Sequence, residues 1–372
     1  MNQIILPALA NPFPYSIHPS IDADNPDKCR IELTTRDYAD RFKLYWTDTQ
    51  RERLKSIGCA RVAALMYPGG SDELLQIGAD FVLWAFAYDD EYCDEGPMSL
   101  NPVAFISNAA EIQRAAESPE HAAFNDRYAL AMRDLRCRLD KYATPTQVGR
   151  FVEGVRSYML IEMWKAVVPH PSLNEYMVMR MYGGGGWAFP ILNHIVAGID
   201  ITQDEYEDRR VRALTEMMVS LMVWDTESYG YVKECARAVD EKEHNLIRIL
   251  CRDYKYSFEQ SIQHYLEMRR RLISLFFRLR TAVFVHASPA VRSYINGLTD
   301  YYSGAVVWTQ TNSRYGSISG TSRTGAFEGG ELTQEVPAES FESVGLPSCE
   351  WWWEYDPARQ SNQPDKPPTA ER

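Results

Sequence analysis

The residues best suited to chemistry lie in one acidic segment, Asp89-Asp90-Glu91-Tyr92-Cys93-Asp94-Glu95. It ends an apolar stretch, and Asp90 and Asp94 are four positions apart, so we expect them to share a helix face. Acidic side chains at a helix C-terminus are disfavoured by the helix dipole, and a bound cation would offset that cost. Carboxylate oxygens favour Mg²⁺ over zinc or copper.

A solvated acidic helix end is the alternative interpretation of this segment. The aromatic residues immediately before it, Phe81, Trp84 and Phe86, argue against a fully solvated face. An EF-hand loop is excluded, because the glycine at loop position six and the closing glutamate are missing.

The elements that must position this segment are predicted to be helices. Helical periodicity dominates from Thr35 to about residue 315, and proline and glycine separate the helices. Ser71 is placed to cap the helix that carries the acidic segment. The predicted helices span 36–56, 58–67, 72–93, 101–117, 119–141, 146–168, 172–182, 187–198, 203–236, 241–287 (with a break) and 290–312.

Both ends of the chain differ in character from this helical region. Residues 1–35 are rich in proline and predict an irregular N-terminal strap, whereas residues 316–372 predict an acidic, disordered tail. The segment Trp351-Trp352-Trp353 in that tail is interpreted as a local dock onto the domain, with a partner-binding peptide as the alternative. The predicted organisation is a strap, a catalytic helical domain over 36–315, and a tail.

The composition of the 372 residues excludes several classes of protein. The net charge of −12 disfavours binding to nucleic acid, which requires basic surfaces. No apolar stretch approaches the ~20 residues of a membrane span. Seven cysteines without CxxC spacing favour neither a zinc ribbon nor a disulfide framework. We therefore expect a cytoplasmic protein without a membrane span.

Tyr67-Pro68, followed by the apolar helix that ends in Asp89-Asp90-Glu91-Tyr92-Cys93-Asp94, resembles the aspartate-rich motif of microbial class I terpene synthases, also called terpene cyclases. The resemblance implies an all-α bundle around a central active-site cavity. It also implies that Asp89, Asp90 and Asp94 bind Mg²⁺, and that three such ions hold the diphosphate of a prenyl substrate.

The segment Pro171 to Gly184 resembles the part of this family that carries its diphosphate-sensing arginine. The resemblance assigns that role to Arg180, whose planar fork suits phosphate oxygens. Gly184 matches the effector position, whose carbonyl assists ionisation at a helix break. Gly183 stands where many relatives carry aspartate.

The segment Val223 to Glu234 resembles the second metal motif of the family, typically Asn-Asp-x-x-Ser-x-x-x-Glu with lysine before the final glutamate. Its ligand positions fall on Thr226, Gly230 and Glu234, which form one helical stripe. Only Glu234 is a strong ligand, so the third ion site departs from the pattern. Asp225 or Glu227 could compensate through a change of register.

Arg314-Tyr315 resembles the C-terminal Arg-Tyr pair of the family. Together the resemblances imply that the substrate diphosphate is bound by Arg180, Lys233, Arg314 and Tyr315. Aromatic faces stabilise a carbocation, and the candidates for that wall are Phe86, Trp308, Trp84 and Trp187.

The resemblance implies Mg²⁺-dependent ionisation and cyclisation of a prenyl diphosphate to a terpene hydrocarbon or alcohol. Farnesyl diphosphate is the favoured substrate and geranylgeranyl diphosphate the next. A homodimer is possible, since relatives often dimerise. The alternative is a catalytically impaired homologue that only binds diphosphates or a protein partner. A prenyl diphosphate synthase is disfavoured, because no second DDxxD occurs on a later helix.

Overall fold

The structure is a computed structural model that describes residues 4–22, 25, 28–94, 96–120, 125–238, 242–319 and 325–360. The described part is predominantly helical with few strands, which confirms the predicted all-α fold. Its α-helices are α1 (Arg30–Phe42), α2 (Asp48–Ile57), α3 (Cys59–Met66), α4 (Asp72–Tyr88), α5 (Pro102–Glu117), α6 (Arg127–Leu139), α7 (Pro145–Val167), α8 (Leu173–Arg180), α9 (Ala188–Val196), α10 (Gln203–Glu207), α11 (Arg209–Arg237), α12 (Leu246–Tyr254), α13 (Phe258–His286), α14 (Pro289–Thr311), α15 (Ser313–Gly316) and α16 (Pro357–Gln360).

Two long helices, α11 and α14, form the centre of the bundle and pack against each other. Helix α14 also packs against α3 and α9, and α4 packs against α3, α1 and α6. An unbroken and mostly apolar run of buried residues from Ala213 to Asp225 explains the central place of α11, because such a helix must be covered by neighbours on all sides.

Helix starts follow the local signals in the sequence. The Ser71 hydroxyl accepts the Leu74 N–H at the start of α4, as predicted. Thr144 and Ser172 begin α7 and α8 with complete capping boxes. These caps fix where the helices enter the bundle.

Some predicted helix boundaries are wrong. The predicted 36–56 helix is two helices, because Lys43 adopts a left-handed conformation (φ 53°) and Thr47 caps a new start. The predicted 203–236 helix is interrupted where Asp208 caps α11. The predicted break within 241–287 is confirmed between α12 and α13, where Ser257 begins a capping box.

The helix that carries the acidic segment also differs from the prediction. Helix α4 ends at Tyr88, and a π-helical turn spans Asp89–Asp94. In a π turn the bonding interval is i to i+5 instead of i to i+4, so side chains five apart come together. The expectation that Asp90 and Asp94 share a face is therefore wrong. It is Asp89, five residues before Asp94, that shares a face with it.

The two ends of the chain meet in short parallel strand pairs. Strands β1 (Ile4–Leu6) and β2 (Leu9–Ala10) pair with β3 (Phe327–Gly329) and β4 (Leu332–Thr333). The N-terminal strap thus contains a short extended piece and is held by the C-terminal segment.

The described part of the tail packs on the helical domain, so the prediction of disorder is wrong for residues 325–360. Trp352 and Trp353 are fully buried, and the Trp352 indole N–H donates to Glu216 at 2.8 Å. Arg278 pairs with buried Asp356. The sequence could not show that these tryptophans have a groove to fill. Residues 320–324 and 361–372 of the predicted tail lie outside the described part. No helix in the described residues has the length and hydropathy needed to cross a membrane.

Candidate active site

One cavity in the middle of the bundle brings together most of the predicted site residues. Helix α4 and its π turn contribute one wall, which we call the acidic wall, and α11 and α14 contribute further side chains to the lining. The predicted residues that line this central cavity are Phe86, Asp89, Asp94, Arg180, Gly184, Thr226, Lys233, Glu234, Trp308, Arg314 and Tyr315. Asp90 and Gly230, by contrast, do not line it.

The acidic wall carries a lysine that the sequence analysis did not select. Lys165 of α7 has its Nζ 3.4 Å from Asp94 Oδ1 and 4.0 Å from Asp89 Oδ1. The same Nζ lies 2.8 Å from Glu162 Oε2, one turn earlier on α7. The cavity lining therefore contains an internal cation in addition to the predicted aspartates, and the buried Glu162 carboxylate lies behind it.

Sequence reasoning missed Glu162 and Lys165, although a signal was present. Buried positions on α7 recur at Phe151, Val155, Tyr158, Glu162 and Lys165, with spacings of four and three. A helix face with this spacing is normally apolar, so an oppositely charged pair on it indicates a buried polar site.

Asp90 faces away from the cavity and holds an arginine in place. Its carboxylate accepts hydrogen bonds from Arg314 Nη1 (3.1 Å) and Nη2 (2.7 Å), and another from Gln50. Arg314 Nη2 also lies 3.4 Å from Asp89 Oδ2. In this structure Asp90 thus positions Arg314 at the cavity, and its predicted role as a metal ligand stays a prediction.

The electrostatics of the two cavity aspartates differ. Burial and the neighbouring Asp94 raise the pKa of Asp89 well above its usual range. Burial also disfavours the charged form of Asp94, but Lys165, Lys233 and Arg314 outweigh it and hold the pKa of Asp94 below its usual range. Because the Asp89 and Asp94 carboxylates repel each other, both can be ionised at once only when a cation lies between or beside them.

Arg180 is fixed at the cavity by a buried carboxylate. Its Nε lies 2.7 Å from Glu227 Oε1, and the same glutamate accepts hydrogen bonds from the Tyr176 hydroxyl and the Leu246 N–H. Burial raises the pKa of Glu227 to about 7, and Arg180 opposes that rise. Glu227 is therefore engaged with Arg180 in this structure.

The second-motif stripe is only partly equipped for a metal ion. Glu234 faces the cavity and its Oε2 accepts from Asn245 at 2.9 Å, while Thr226 donates its hydroxyl proton to the Val223 carbonyl. Gly230 leaves space that Glu234 uses, because a Cβ there would lie 2.5 Å from Glu234 Oε1.

The suggestion that Asp225 compensates through a change of register is wrong. Asp225 is fully buried on the other side of α11, where it accepts hydrogen bonds from Arg269 (2.7 and 2.9 Å). The hydroxyls of Tyr265 and Tyr302 donate to the same carboxylate. With all of these donors around it, Asp225 has a structural role.

The helix break between α8 and α9 lies at the cavity. Gly184 has φ of +62°, in the left-handed region that favours glycine. Its N–H points to Glu162 Oε1 at 3.5 Å. A Cβ on Gly185, which also has positive φ, would lie 2.1 Å from the Phe189 ring. The glycine run therefore allows the chain to turn sharply beside the acidic wall.

Two of the four predicted aromatic candidates line the cavity. The Phe86 and Trp308 rings stack with centroids 5.3 Å apart, and the Arg314 guanidinium lies 4.6 Å from the Phe86 ring. Trp84 is instead buried in the core, with its N–H donated to the Tyr128 carbonyl. Trp187 is buried away from the cavity.

The donor set of the cavity fits a hard divalent cation. In the described residues, one group of three candidate ligands has its atoms within 4.8 Å of one another: Asp89, Cys93 and Glu162. Carboxylate oxygens dominate the acidic wall, and oxygen is the ligand that Mg²⁺ prefers. Asp89 and Asp94 could contribute on one side, and Glu234 with Thr226 on the other.

Comparisons with known proteins agree with this geometry. The family model described as terpene synthase family 2, C-terminal metal binding, matches residues 80–274. The chain is 30% identical over 358 residues to (+)-(1(10)E,4E,6S,7R)-germacradien-6-ol synthase from Streptomyces pratensis, covering 94% of this chain and 96% of that protein. It is 26% identical to spiroviolene synthase from Streptomyces violens, covering 95% and 98%.

Solved structures show the same fold. The crystal structure of the SVS_A2 protein from ancestral sequence reconstruction superposes with a TM-score of 0.78 at 25% identity, covering 94% of this chain and 98% of that one. A variant of cucumene synthase has a TM-score of 0.68 at 17% identity, covering 82% and 99%.

Fold and cavity together define a class I terpene synthase with a divalent-metal site. The chain belongs to terpene synthase family 2.

Proposed function

We propose that this enzyme ionises a prenyl diphosphate in the presence of Mg²⁺ and cyclises the carbocation to a terpene hydrocarbon or alcohol. One observation carries the proposal: a single cavity is lined both by carboxylates and cations and by apolar, aromatic side chains. Such a cavity suits a substrate with an anionic head and a hydrocarbon tail.

Four side chains of the cavity are suited to bind the diphosphate. They surround the same space and are Arg180, Lys233, Arg314 and Tyr315. Glu227 pre-positions Arg180, and Asp90 pre-positions Arg314. Pre-positioned donors stabilise charge that develops in a transition state, because they need no reorganisation. Mg²⁺, when bound, would neutralise the charge on the leaving diphosphate.

The apolar and aromatic side chains of the lining would protect the cation after ionisation. Phe86 and Trp308 belong to this part of the lining, and a cation near an aromatic face is stabilised by up to about 2 kcal/mol when water is excluded. Gly184 lies at the helix break beside the acidic wall, and its carbonyl would assist ionisation. These roles are part of the proposal.

Farnesyl diphosphate is the favoured substrate, and geranylgeranyl diphosphate is the second candidate. Among similar proteins, (+)-T-muurolol synthase from Streptomyces clavuligerus, 27% identical, is named as cyclising (2E,6E)-farnesyl diphosphate. Diterpene cyclase DtcycA from a Streptomyces species, 24% identical, supports the second candidate.

The test is incubation of the full chain with geranyl, farnesyl and geranylgeranyl diphosphates, with Mg²⁺ or with EDTA, followed by gas chromatography–mass spectrometry. We expect a Mg²⁺-dependent terpene, with farnesyl diphosphate as the best substrate. Asp89→Asn should lower kcat/KM by about 100-fold or more, since a proposed ligand for the metal loses its charge. Glu73→Gln, an exposed position near the start of α4, should not. Absence of product from all three substrates would refute catalysis and favour the homologue that only binds diphosphates.

A further inference from the structure

Lys165 occupies an unusual position in the cavity. Its residue is 7% exposed, lines the cavity, and points its ammonium group at carboxylates from two separate elements. Glu162 belongs to its own helix, whereas Asp89 and Asp94 belong to the π turn after α4. The ammonium group therefore ties α7 to the turn that carries the predicted metal ligands.

We propose that Lys165 is a built-in cation of the acidic wall that competes with the divalent metal for Asp94 and thereby sets the metal affinity of the free enzyme. Lys165 is a positioning residue in this role. The inference rests on the proposed function in one respect, since it takes Mg²⁺ as the metal.

Lys165 and a bound metal ion would carry like charges beside the same carboxylate oxygens. Asp94 and Asp89 could hold a cation only where their oxygens point, and the Lys165 ammonium already lies 3.4 and 4.0 Å from those oxygens. A divalent ion bound there would lie next to a like charge in a cavity of low dielectric, where repulsion is much stronger than in water. Metal binding therefore requires Lys165 to move away from Asp94.

Lys165 has another partner available when it leaves Asp94. Glu162 Oε2 lies 2.8 Å from Nζ, and the Glu162 side chain is fully buried by the fold. The ammonium can therefore leave Asp94 without becoming an unpaired buried charge, which would be very costly. Glu162 also faces the Gly184 N–H, so the Lys165–Glu162 pair joins the acidic wall to the helix break.

The Lys165 ammonium group is placed to act on the metal site as well as on its own helix. It has three N–H donors, and Glu162 is its partner on α7. Lys165 also reaches across to the π turn and faces the cavity. That placement gives it influence over any cation that binds to Asp94.

The test is titration of Mg²⁺ into the full-length protein by isothermal calorimetry, without substrate. Lys165→Met should bind Mg²⁺ about tenfold more tightly or better, because a competing positive charge is removed. Lys165→Arg should bind it as the wild type does or more weakly. Lys141→Met, which removes an exposed lysine after α6, controls for the change in net charge and should leave the affinity unchanged.

An unchanged or weakened Mg²⁺ affinity in Lys165→Met would overturn the inference. Lys165→Gln provides a second neutral variant if Lys165→Met does not fold. If neither neutral variant folds while Lys165→Arg does, Lys165 is required for folding and the inference is overturned as well. The titration does not depend on turnover: a protein that makes no terpene but shows the tighter binding would refute the proposed function and leave this inference standing.

Discussion

Asp225 is the residue for which the structure makes the sharpest prediction of stability. Its carboxylate is fully buried and accepts hydrogen bonds from Arg269 (2.7 and 2.9 Å) and from the hydroxyls of Tyr265 (2.6 Å) and Tyr302 (2.7 Å). Arg269 is only 3% exposed. Asp225→Asn keeps the shape but removes the charge and places an amide N–H₂ among donors.

The expected loss follows from this arrangement. Removal of one partner from a buried ion pair costs about 3–5 kcal/mol, because the other charge is left without compensation. We therefore expect the free energy of unfolding of Asp225→Asn to fall by about 3–5 kcal/mol. Urea unfolding followed by circular dichroism at 25 °C measures this change.

Two controls make this prediction specific. Asp37→Asn, an exposed aspartate on α1, should change the free energy of unfolding by less than about 0.5 kcal/mol. The half-saturating Mg²⁺ concentration of folded Asp225→Asn should equal that of the wild type, because the carboxylate points away from the cavity. A stable variant with a much weaker Mg²⁺ dependence would show that Asp225 is a metal ligand and would refute our interpretation.

Three further predictions concern single sites. Gly230→Ala should keep or raise the melting temperature, since alanine favours a helix over glycine by about 1 kcal/mol. It should nevertheless lower kcat about tenfold, because its Cβ displaces the Glu234 carboxylate, and an unchanged kcat would contradict this. Burial lowers the pKa of His194 to about 3, and neither ring nitrogen has a hydrogen-bond partner in the described residues. The unfolded chain binds a proton below about pH 6.5 that the folded one does not, so acid destabilises the wild type. Between about pH 7 and pH 4, the free energy of unfolding of His194→Leu should therefore fall by about 3 kcal/mol less than that of the wild type. Urea unfolding at both pH values tests this, and an equal pH dependence in the two proteins would argue against it. Burial raises the pKa of Asp300 to about 6, so ionisation of this carboxyl disfavours the folded state above that pH. The free energy of unfolding of Asp300→Asn should therefore exceed that of the wild type by about 1–3 kcal/mol at about pH 8, with no difference at about pH 3. A gain of equal size at both pH values would exclude this cause.

Local signals in the sequence determined much of the fold. Serine and threonine caps, proline and glycine breaks and apolar periodicity predicted the helical class and most helices, because these signals act within a few residues. The order of the Asp89, Arg180, Glu234 and Arg314 segments was sufficient to suggest the family. The structure then brings these four residues to one cavity.

Only the tertiary structure decided which side of each element faces the cavity. The π turn brings Asp89 and Asp94 to the cavity and directs Asp90 to Arg314. This arrangement depends on a hydrogen-bonding interval of five residues instead of four, which sequence spacing cannot reveal. Lys165 became part of the site only because α7 packs its charged pair against that turn. Periodicity determines which residues share a face of one helix, whereas the partner of that face depends on packing between segments far apart in the chain.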